Sequence, residues 1–345
     1  MAVFDHPEFD DHLQVSFFHD VGAGLHAITA IHTLSPLGTS GGGCRMLPYE
    51  NDDAALRDVL RLSRAMSYKL ALADVPAGGA KTVIIGDPTR DKTEGLLRAL
   101  GRAIHRLGGK YIIGEDVGTT REDMEVISKE TPFVVGKMTG GGETTGATAY
   151  GVFTGLRQAV QHRLGRDLQG VRVGVQGVGA VGYELCKHLQ AAGAQVFVAD
   201  TVHERAERAR RELGASVVSS DEIMDLDIDV FAPCALGSVL DDQTIPRLKC
   251  TVIAGAANNQ LAEDRHGEEL ARRNILYAPD FVVNAGAAVG AAQGSRPEAE
   301  IFAKTANKVR ALLEEVFERS ARETVDPHRA AMAMAKERLA QYART

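Results

Sequence analysis

Three ionisable side chains in the first half of the chain have neighbours and spacing that suit acid–base chemistry. Lys69 and Lys81 flank the segment Pro-Ala-Gly-Gly-Ala at 76–80, and Asp116 lies in Gly-Glu-Asp-Val-Gly-Thr at 114–119. Lys81 stands between this glycine pair and an apolar run, where removal from water favours the neutral amine. Such an amine can act as an acid or base near neutral pH. Most lysines are instead solvated surface charges, and Asp116 is equally well placed to cap a helix.

A second motif suits the binding of a dinucleotide. The strand-like run 171–175 leads into Gly-Val-Gly-Ala-Val-Gly at 177–182, which opens a helix, and a second strand at 195–199 is followed by Asp200. This order is the dinucleotide-binding fingerprint, in which glycines let the backbone approach a pyrophosphate at a helix N-terminus. Asp200 is predicted to bind the adenosine ribose hydroxyls and to repel a 2′-phosphate, which favours NAD over NADP. A tight turn without a ligand is the alternative.

The elements that position the first set of residues form an α/β half. Residues 13–34 alternate as a β-hairpin with a turn at 21–24, and the segment Ser-Gly-Gly-Gly at 40–43 is predicted to form a loop. Asn51 or Asp52 is placed to cap a helix. The other predicted elements are helices at 52–73, about 93–107 and about 120–130, and strands at 82–85 and 111–113.

The second half begins after the glycine-rich break at 139–146. Short apolar strands there alternate with helical segments, which predicts βαβ units and a mainly parallel sheet. The tail from about 298 to 341 is helical by pattern. The predicted strands are 171–176, 195–199, 230–232, 251–254 and 275–277.

Composition narrows the classes of function. The net charge of −7 argues against broad nucleic-acid binding, which needs a basic face. The chain has no run of 18 apolar residues that would span a membrane and no hydrophobic signal segment, so we expect a cytoplasmic protein. The cysteines show no CxxC spacing and are predicted to be reduced, mostly buried thiols rather than metal ligands or disulfides; they are Cys44, Cys186, Cys234 and Cys250.

Nine segments together resemble the glutamate/leucine/phenylalanine/valine dehydrogenase family, and within it the leucine, phenylalanine and tryptophan dehydrogenases. The resemblance runs from about residue 13 to about 340. The segments are GGCRMLPYEN (42–51), DVLRLSRAMSYK (58–69), PAGGAKTVIIGDP (76–88), GEDVGT (114–119), TAYGV (148–152), VQGVGAVGYELCKHL (175–189), DVFAPCALG (229–237), IAGAANNQLAEDRHG (253–267) and ILYAPDFVVNAG (275–286).

The resemblance implies an NAD-dependent amino-acid dehydrogenase that converts a hydrophobic L-amino acid to its 2-oxo acid and ammonia. It implies two α/β domains with a cleft between them. Residues 1–140 with a C-terminal helix at about 320–345 would bind substrate and form a homo-oligomer. Residues 147–319 would form the Rossmann NAD-binding domain.

The resemblance also implies roles for individual residues. Lys69, with the Gly42-Gly43 segment, would bind the substrate carboxylate, Lys81 would activate water, and Asp116 would exchange protons with the substrate amine. Asn258 and Asn284 would line the nicotinamide and substrate site. The cofactor would contact Thr148, Gly177, Val178, Gly179, Ala180, Val181, Gly182, Asp200, Thr201, Cys234, Ala235, Ala256 and Asn258.

Four positions are implied to wall the pocket for the substrate side chain, and all four carry glycine or alanine. They are Gly41, Gly114, Ala288 and Ala291. A wide apolar pocket predicts activity on phenylalanine or tryptophan at least equal to that on leucine. An inward shift of the backbone around Ala287, where the family has glycine, would instead give a leucine or valine enzyme.

Two further hypotheses about the function are compatible with the sequence. The first is a catalytically silent NAD-binding protein, against which the intact Lys69, Lys81, Asp116 and Asn258 argue. The second is another Rossmann oxidoreductase of the malic-enzyme type, which would need a metal-binding carboxylate cluster that the sequence does not indicate.

Overall fold

We describe the fold from a computed structural model, and the description covers residues 3–136, 144–293 and 296–342. The chain divides into two compact units. Unit 1 comprises Met1–Gly142 with Lys336–Thr345, and unit 2 comprises Glu143–Ala335. The predicted break at 139–146 falls mostly outside the described residues. The C-terminal part of unit 1 starts at Lys336 rather than near residue 320, because the preceding long helix packs within unit 2.

Unit 1 is built on a five-stranded sheet with the strand order β1-β2-β4-β3-β5. Strands β1 and β2 form the predicted antiparallel hairpin, whereas β3 runs parallel to both of its neighbours. The elements of unit 1 are β1 (Gln14–Asp20), β2 (Leu25–Ile31), β3 (Ser40–Leu47), α1 (Asp52–Leu72), β4 (Gly78–Ile85), α2 (Glu94–His105), β5 (Tyr111–Glu115) and α3 (Arg121–Ser128).

The prediction of a loop at 40–43 is wrong, because these residues open the central strand β3. Strands β4 and β5 pair with β3 on its two sides, and their ladders satisfy its backbone. Glycine here permits close backbone approach, which is one reason glycine occurs within strands. A Cβ at Gly42 would lie 1.7 Å from the carbonyl oxygen of Ala80.

Helix α1 covers one face of this sheet. The side chain of Asn51 caps its first turn by accepting from the backbone N–H of Ala54 at 2.9 Å, as predicted. Val83 of β4 packs in the same apolar cluster as Val59 and Leu60 of α1. Because side chains alternate along a strand, Lys81 lies on the same face of β4 as Val83. Helices α2 and α3 contribute to the apolar cluster on the other face.

Unit 2 contains a six-stranded parallel sheet with the order β11-β10-β9-β6-β7-β8, which confirms the predicted Rossmann-type fold. Helices connect most of the strands. The elements are α4 (Thr144–Leu164), β6 (Arg172–Gln176), α5 (Ala180–Ala191), β7 (Gln195–Ala199), α6 (His203–Leu213), β8 (Ser216–Val217), β9 (Val230–Pro233), β10 (Val252–Ile253), α7 (Arg265–Arg272), β11 (Leu276–Tyr277), α8 (Asp280–Val283), α9 (Gly286–Gln293), α10 (Glu298–Glu323) and α11 (Pro327–Tyr342), whose residues from Lys336 onward belong to unit 1.

The helical tail agrees with its sequence pattern, since α10 and α11 span most of 298–342. Among the described residues, no helix combines the length and the apolar character needed to cross a membrane. The cysteines are free thiols and three of the four are buried. Burial raises the pKa of the Cys250 thiol to about 12.

Candidate active site

Lys81 and Asp116 are in direct contact in unit 1. Lys81 lies in β4 with 6% of its surface exposed, and Asp116 follows the last residue of β5. The Lys81 ammonium donates to Oδ2 of Asp116. Strand β3 separates β4 from β5, so the two side chains meet across it over Gly43. A Cβ at Gly43 would lie 2.9 Å from Cβ of Asp116 and 3.0 Å from Nζ of Lys81, which leaves no room for a side chain.

Cations and backbone donors hold the carboxylate of Asp116. Its Oδ1 accepts from Nε of Arg45 at 3.3 Å and from the backbone N–H of Val117 at 2.6 Å. Burial opposes the charged carboxylate, but Lys81 and Arg45 outweigh it and lower the pKa of Asp116 below its ordinary value. Asp116 is not a helix cap, because Thr120 caps α3. The burial of Lys81 was predicted from its neighbours, but its pairing with Asp116 was not.

Lys69 lies in the last turn of α1 and is 9% exposed. Met66, one turn earlier on the same helix face, has its Cγ 3.6 Å from where a Cβ at Gly42 would stand. The helix approaches β4 closely at Gly79, where a Cβ would lie only 2.1 Å from the backbone nitrogen of Ser67. Helix α1 therefore brings the turn that carries Lys69 to the face of the sheet that carries Lys81.

The backbone of the glycine segment is fixed from the neighbouring strand. The buried hydroxyl of Tyr111 donates to the carbonyl oxygens of Gly42 and Gly43 at 3.2 and 3.1 Å. These contacts hold the carbonyl groups of the two glycines in place.

The positions predicted to wall a side-chain pocket fall in both units. In unit 1, no described atom lies within 4 Å of a Cβ built at Gly41, whereas one built at Gly114 would meet Cγ2 of Val135 at 3.2 Å. In unit 2, Ala288 lies in α9 and is 5% exposed. Ala291 is in the same helix, but its side chain lies outside the described residues.

The predicted dinucleotide motif forms a strand–turn–helix in unit 2. Gly177 follows β6 with a φ of +93°, a conformation that disfavours other residues. A Cβ at Gly177 would lie 2.8 Å from the Cβ of Ala235, and one at Gly182 would lie 2.0 Å from the carbonyl oxygen of Gly177. Ala235 therefore packs against the turn. The backbone N–H of its neighbour Cys234 donates to the carbonyl oxygen of Gln176 at 2.7 Å.

The middle glycine of the motif faces open space. No described atom lies within 4 Å of a Cβ built at Gly179, which is the N-cap of α5, and no side chain in the described part of the chain caps that helix. The first backbone N–H groups of a helix are the usual donors to a phosphate, and in α5 they belong to Ala180, Val181 and Gly182. These residues therefore fit the pyrophosphate of a dinucleotide.

Asp200 follows β7 beside this loop. Its Oδ2 accepts from the backbone N–H of Val178 at 2.9 Å and its Oδ1 from that of Val202 at 2.8 Å, and its side chain is 6% exposed. Each carboxylate oxygen can accept a further hydrogen bond. Arg205 lies 4.0 Å from Oδ1, and Thr201 is exposed.

Asn258 and Asn284 also meet in unit 2. The side-chain Nδ2 of Asn284 donates to Oδ1 of Asn258 and to the carbonyl oxygen of Ala256, both at 3.1 Å. The buried Oδ1 of Asn284 has no hydrogen-bond donor among the described residues. A Cβ at Gly286 would lie 2.0 Å from the carbonyl oxygen of Ala147, so α9 packs on the turn of α4 that carries Thr148.

The sequence analysis missed a buried network behind Asp116. Arg45 is 6% exposed and donates from Nη1 to Oδ2 of Asp58 at 3.1 Å, and the Tyr49 hydroxyl donates to the same oxygen at 2.6 Å. The signal was the spacing of Arg45, two residues after Gly43, which places both on one face once the segment is recognised as a strand.

One group among the described residues has the composition of a metal site: Asp242, His266 and Glu269. Nδ1 of His266 accepts from the backbone N–H of Glu263 at 3.0 Å, so Nε2 carries the proton in the neutral ring. Nε2 lies 3.2 Å from Asp242, which also pairs with Arg265. Asp242 is therefore held by a hydrogen bond from His266 and an ion pair with Arg265.

Comparisons with known proteins agree with the two-unit fold. The dimerisation domain of the Glu/Leu/Phe/Val dehydrogenases matches residues 11–133, and the Glutamate/Leucine/Phenylalanine/Valine dehydrogenase family model matches residues 198–345. The NAD binding domain of the D-isomer specific 2-hydroxyacid dehydrogenases matches residues 146–232.

Relatives with different named substrates are about equally similar to the chain. Leucine dehydrogenase of Thermoactinomyces intermedius is 46% identical over 100% of this chain and 95% of its own. Phenylalanine dehydrogenase of Caldalkalibacillus thermarum is 43% identical over 100% and 95%. The crystal structure of L-tryptophan dehydrogenase from Nostoc punctiforme has a TM-score of 0.75 and 42% identity, covering 96% of this chain and 97% of that one.

Proposed function

The chain belongs to the glutamate/leucine/phenylalanine/valine dehydrogenase family, and we propose that it oxidatively deaminates a hydrophobic L-amino acid, reversibly, with NAD. Family membership makes it an amino-acid dehydrogenase that uses a nicotinamide dinucleotide. The substrate side chain, the form of the cofactor and the role of each residue are the proposal. The observation that carries it is the buried contact between Lys81 and Asp116 across Gly43.

The proposed mechanism assigns substrate binding and proton transfer to unit 1. Lys69 binds the substrate carboxylate by a charge-assisted hydrogen bond, together with the Gly42-Gly43 backbone. Asp116 takes a proton from the substrate ammonium, which leaves the neutral amine. After the Cα–H bond breaks, Lys81, having released its ammonium proton to solvent, takes a proton from water, whose hydroxyl adds to the iminium carbon. Asp116 then returns a proton to the nitrogen, and ammonia leaves as the carbinolamine hydroxyl gives its proton to the Asp116 carboxylate and the carbonyl of the 2-oxo acid forms.

Unit 2 would hold the cofactor, which when bound accepts a hydride from the substrate Cα. The pyrophosphate would lie over Gly179, and the adenosine ribose would lie beside Asp200. Asn258 and Asn284 would orient the nicotinamide carboxamide and the substrate, and Oδ1 of Asn284, which has no donor among the described residues, offers an acceptor to such an amide. We also propose that unit 1, which matches a dimerisation domain, forms a homo-oligomer.

The substrate side chain is expected to be aromatic. Gly41 and Gly114 leave space where larger residues would narrow an apolar pocket, and each further buried CH₂ of substrate gains about 0.8 kcal/mol. NADH formation at alkaline pH with tryptophan, phenylalanine, leucine, valine and glutamate is the test. We expect kcat/KM for phenylalanine or tryptophan to equal or exceed that for leucine, with little activity on glutamate.

Two substitutions probe the same pocket. Gly114→Ala should shift preference towards smaller substrates, because the new methyl and Val135 compete for space. Gly41→Ala should do so without a clash, and Gly95→Ala on the exposed side of α2 is the matched control. A clear preference of the unaltered enzyme for valine would contradict the wide pocket.

A leucine dehydrogenase is the second candidate, and Val135 favours it. Its Cγ2 lies beside Gly114 and the residue is 49% exposed in unit 1, so it occupies part of the space that Gly114 leaves. The same kcat/KM series separates the two candidates.

NAD is expected to be preferred over NADP by at least about tenfold in kcat/KM, because a 2′-phosphate beside the Asp200 carboxylate would add like charges. Initial rates with each cofactor test this. Arg205 lies 4.0 Å from Asp200, so both charges are near the proposed ribose site. Arg205→Gln removes the positive charge and leaves the effect of the Asp200 carboxylate alone. Better activity with NADP that disappears in Arg205→Gln would show that the arginine overrides the carboxylate.

A further inference from the structure

We propose that Arg45 and Asp58 are positioning residues for the reaction: Asp58 holds Arg45, and Arg45 holds Asp116 in the orientation and charge state that its proton transfers need. This inference rests on the proposed function, because that function assigns the proton transfers to Asp116. Neither residue is expected to touch the substrate.

The two carboxylate oxygens of Asp116 have different partners. Lys81 contacts Oδ2, while Nε of Arg45 donates to Oδ1 at 3.3 Å. Arg45 and Gly43 lie on one face of β3. The missing side chain of Gly43 opens the space in which Lys81 and Asp116 meet, and the guanidinium of Arg45 closes that space on one side. When Lys81 loses or gains a proton during the reaction, Arg45 remains as the fixed cation beside Asp116.

Arg45 is itself held on its far side. Its Nη1 donates to both carboxylate oxygens of Asp58 of α1, at 3.1 and 3.3 Å, and the Tyr49 hydroxyl orients that carboxylate at 2.6 Å. A planar guanidinium between two carboxylates has few alternative positions. The charges of Lys81, Asp116, Arg45 and Asp58 alternate in sign, so the buried cluster is formally neutral.

The electrostatics of the cluster give Arg45 its effect on Asp116. Burial favours the protonated carboxyl, and the two cations reverse that preference. Loss of Arg45 would therefore raise the pKa of Asp116, so that a smaller fraction of it is the carboxylate that accepts the substrate proton. The titratable and charged side chains around Asp116 that bear on this are Lys81 of β4, Cys44 and Arg45 of β3, Tyr111 of β5, Tyr49, and Asp58 of α1.

The test is the pH profile of kcat for Arg45→Met, Arg45→Lys and Asp58→Asn, with the best amino acid from the substrate panel. For Arg45→Met we expect kcat to fall about 10- to 100-fold and the acidic limb of the profile to move up by about one pH unit, with KM for NAD within about twofold. In Arg45→Lys the acidic limb should lie closer to its position in the unaltered enzyme, because lysine keeps the positive charge but lacks the planar guanidinium. Asp58→Asn should move it in the same direction by less.

Arg64→Met is the matched control, because Arg64 of α1 pairs with Glu8 at 3.1 Å and is not a neighbour of Asp116 in this network. Its profile should match that of the unaltered enzyme. If Arg45→Met and Asp58→Asn keep the acidic limb in place, the positioning role is wrong, whatever their stability. If Arg45→Met does not fold, Asp58→Asn decides. An unaltered enzyme that deaminates no amino acid would instead contradict the proposed function itself.

Discussion

Lys81→Ala is expected to lower kcat by about 10³-fold or more while the Kd for NAD stays within about twofold. The proposed mechanism needs the Lys81 amine to take a proton from water, and alanine offers no group that can replace it. NAD affinity should survive because the proposed pyrophosphate site, from Gly177 to Gly182, lies in unit 2, where it follows β6 and opens α5. Initial rates and a fluorescence titration with NAD measure the two quantities.

Lys129→Ala is the matched control for this variant. Lys129 also belongs to unit 1 and pairs with a carboxylate, that of Glu94 at 3.1 Å, but it is 52% exposed. A surface pair of this kind contributes little to stability. We expect Lys129→Ala to keep kcat within about twofold. Near-normal turnover in Lys81→Ala would make Lys81 a structural residue and would contradict the mechanism.

Local signals sufficed for much of the fold. The hairpin β1–β2, the Asn51 cap of α1 and the glycine turn before α5 each depend on residues close together in sequence. The glycine motif was specific because a strand precedes it and a helix follows it. The error at 40–43 has the opposite origin. Glycine composition alone indicates a loop, and only pairing with β4 and β5, both far along the chain, makes the segment a strand.

The arrangement of the candidate site could be predicted only in part for the same reason. Lys81 and Asp116 were recognisable as residue types in motifs, but their contact depends on the strand order β4-β3-β5. The contact between Arg45 and Asp116 was not predicted, because the first half of strand β3, residues 40–43, was predicted to be a loop. The binding of Asp200 to the backbone of Val178 likewise depends on the register between β6 and β7, which no sequence pattern fixes.

Asp116→Asn is expected to reduce kcat by about 10²- to 10⁴-fold, because an amide of nearly the same shape cannot accept the proton of the substrate ammonium. The shape of the site should persist, since asparagine still offers an oxygen to Arg45 and to the backbone of Val117. The charge does not persist. Of the two buried cations, Arg45 would keep the carboxylate of Asp58, but Lys81 would lose its direct partner.

The same substitution should therefore destabilise unit 1, by about 3 kcal/mol in the free energy of unfolding at pH 7. The sign follows from the pKa of Asp116, which is lower in the folded chain than its ordinary value of 3.8. Such a group contributes stability at every pH above its ordinary pKa and loses it as the pH falls through the folded value. Urea unfolding of the unaltered protein and the variant at pH 7 measures the difference.

Asp10→Asn separates the loss of stability from the loss of chemistry. Burial raises and His32 lowers the pKa of Asp10, and the contact with His32 is the larger influence, so its carboxylate also stabilises the folded chain at neutral pH. Asp10 is not among the contacts of Lys81 or Asp116. We expect Asp10→Asn to lose stability and to keep kcat within about twofold at a temperature where both variants are folded. If Asp116→Asn keeps its kcat under those conditions, Asp116 has no part in the chemistry and its buried charge serves only to hold Lys81 and Arg45 in place.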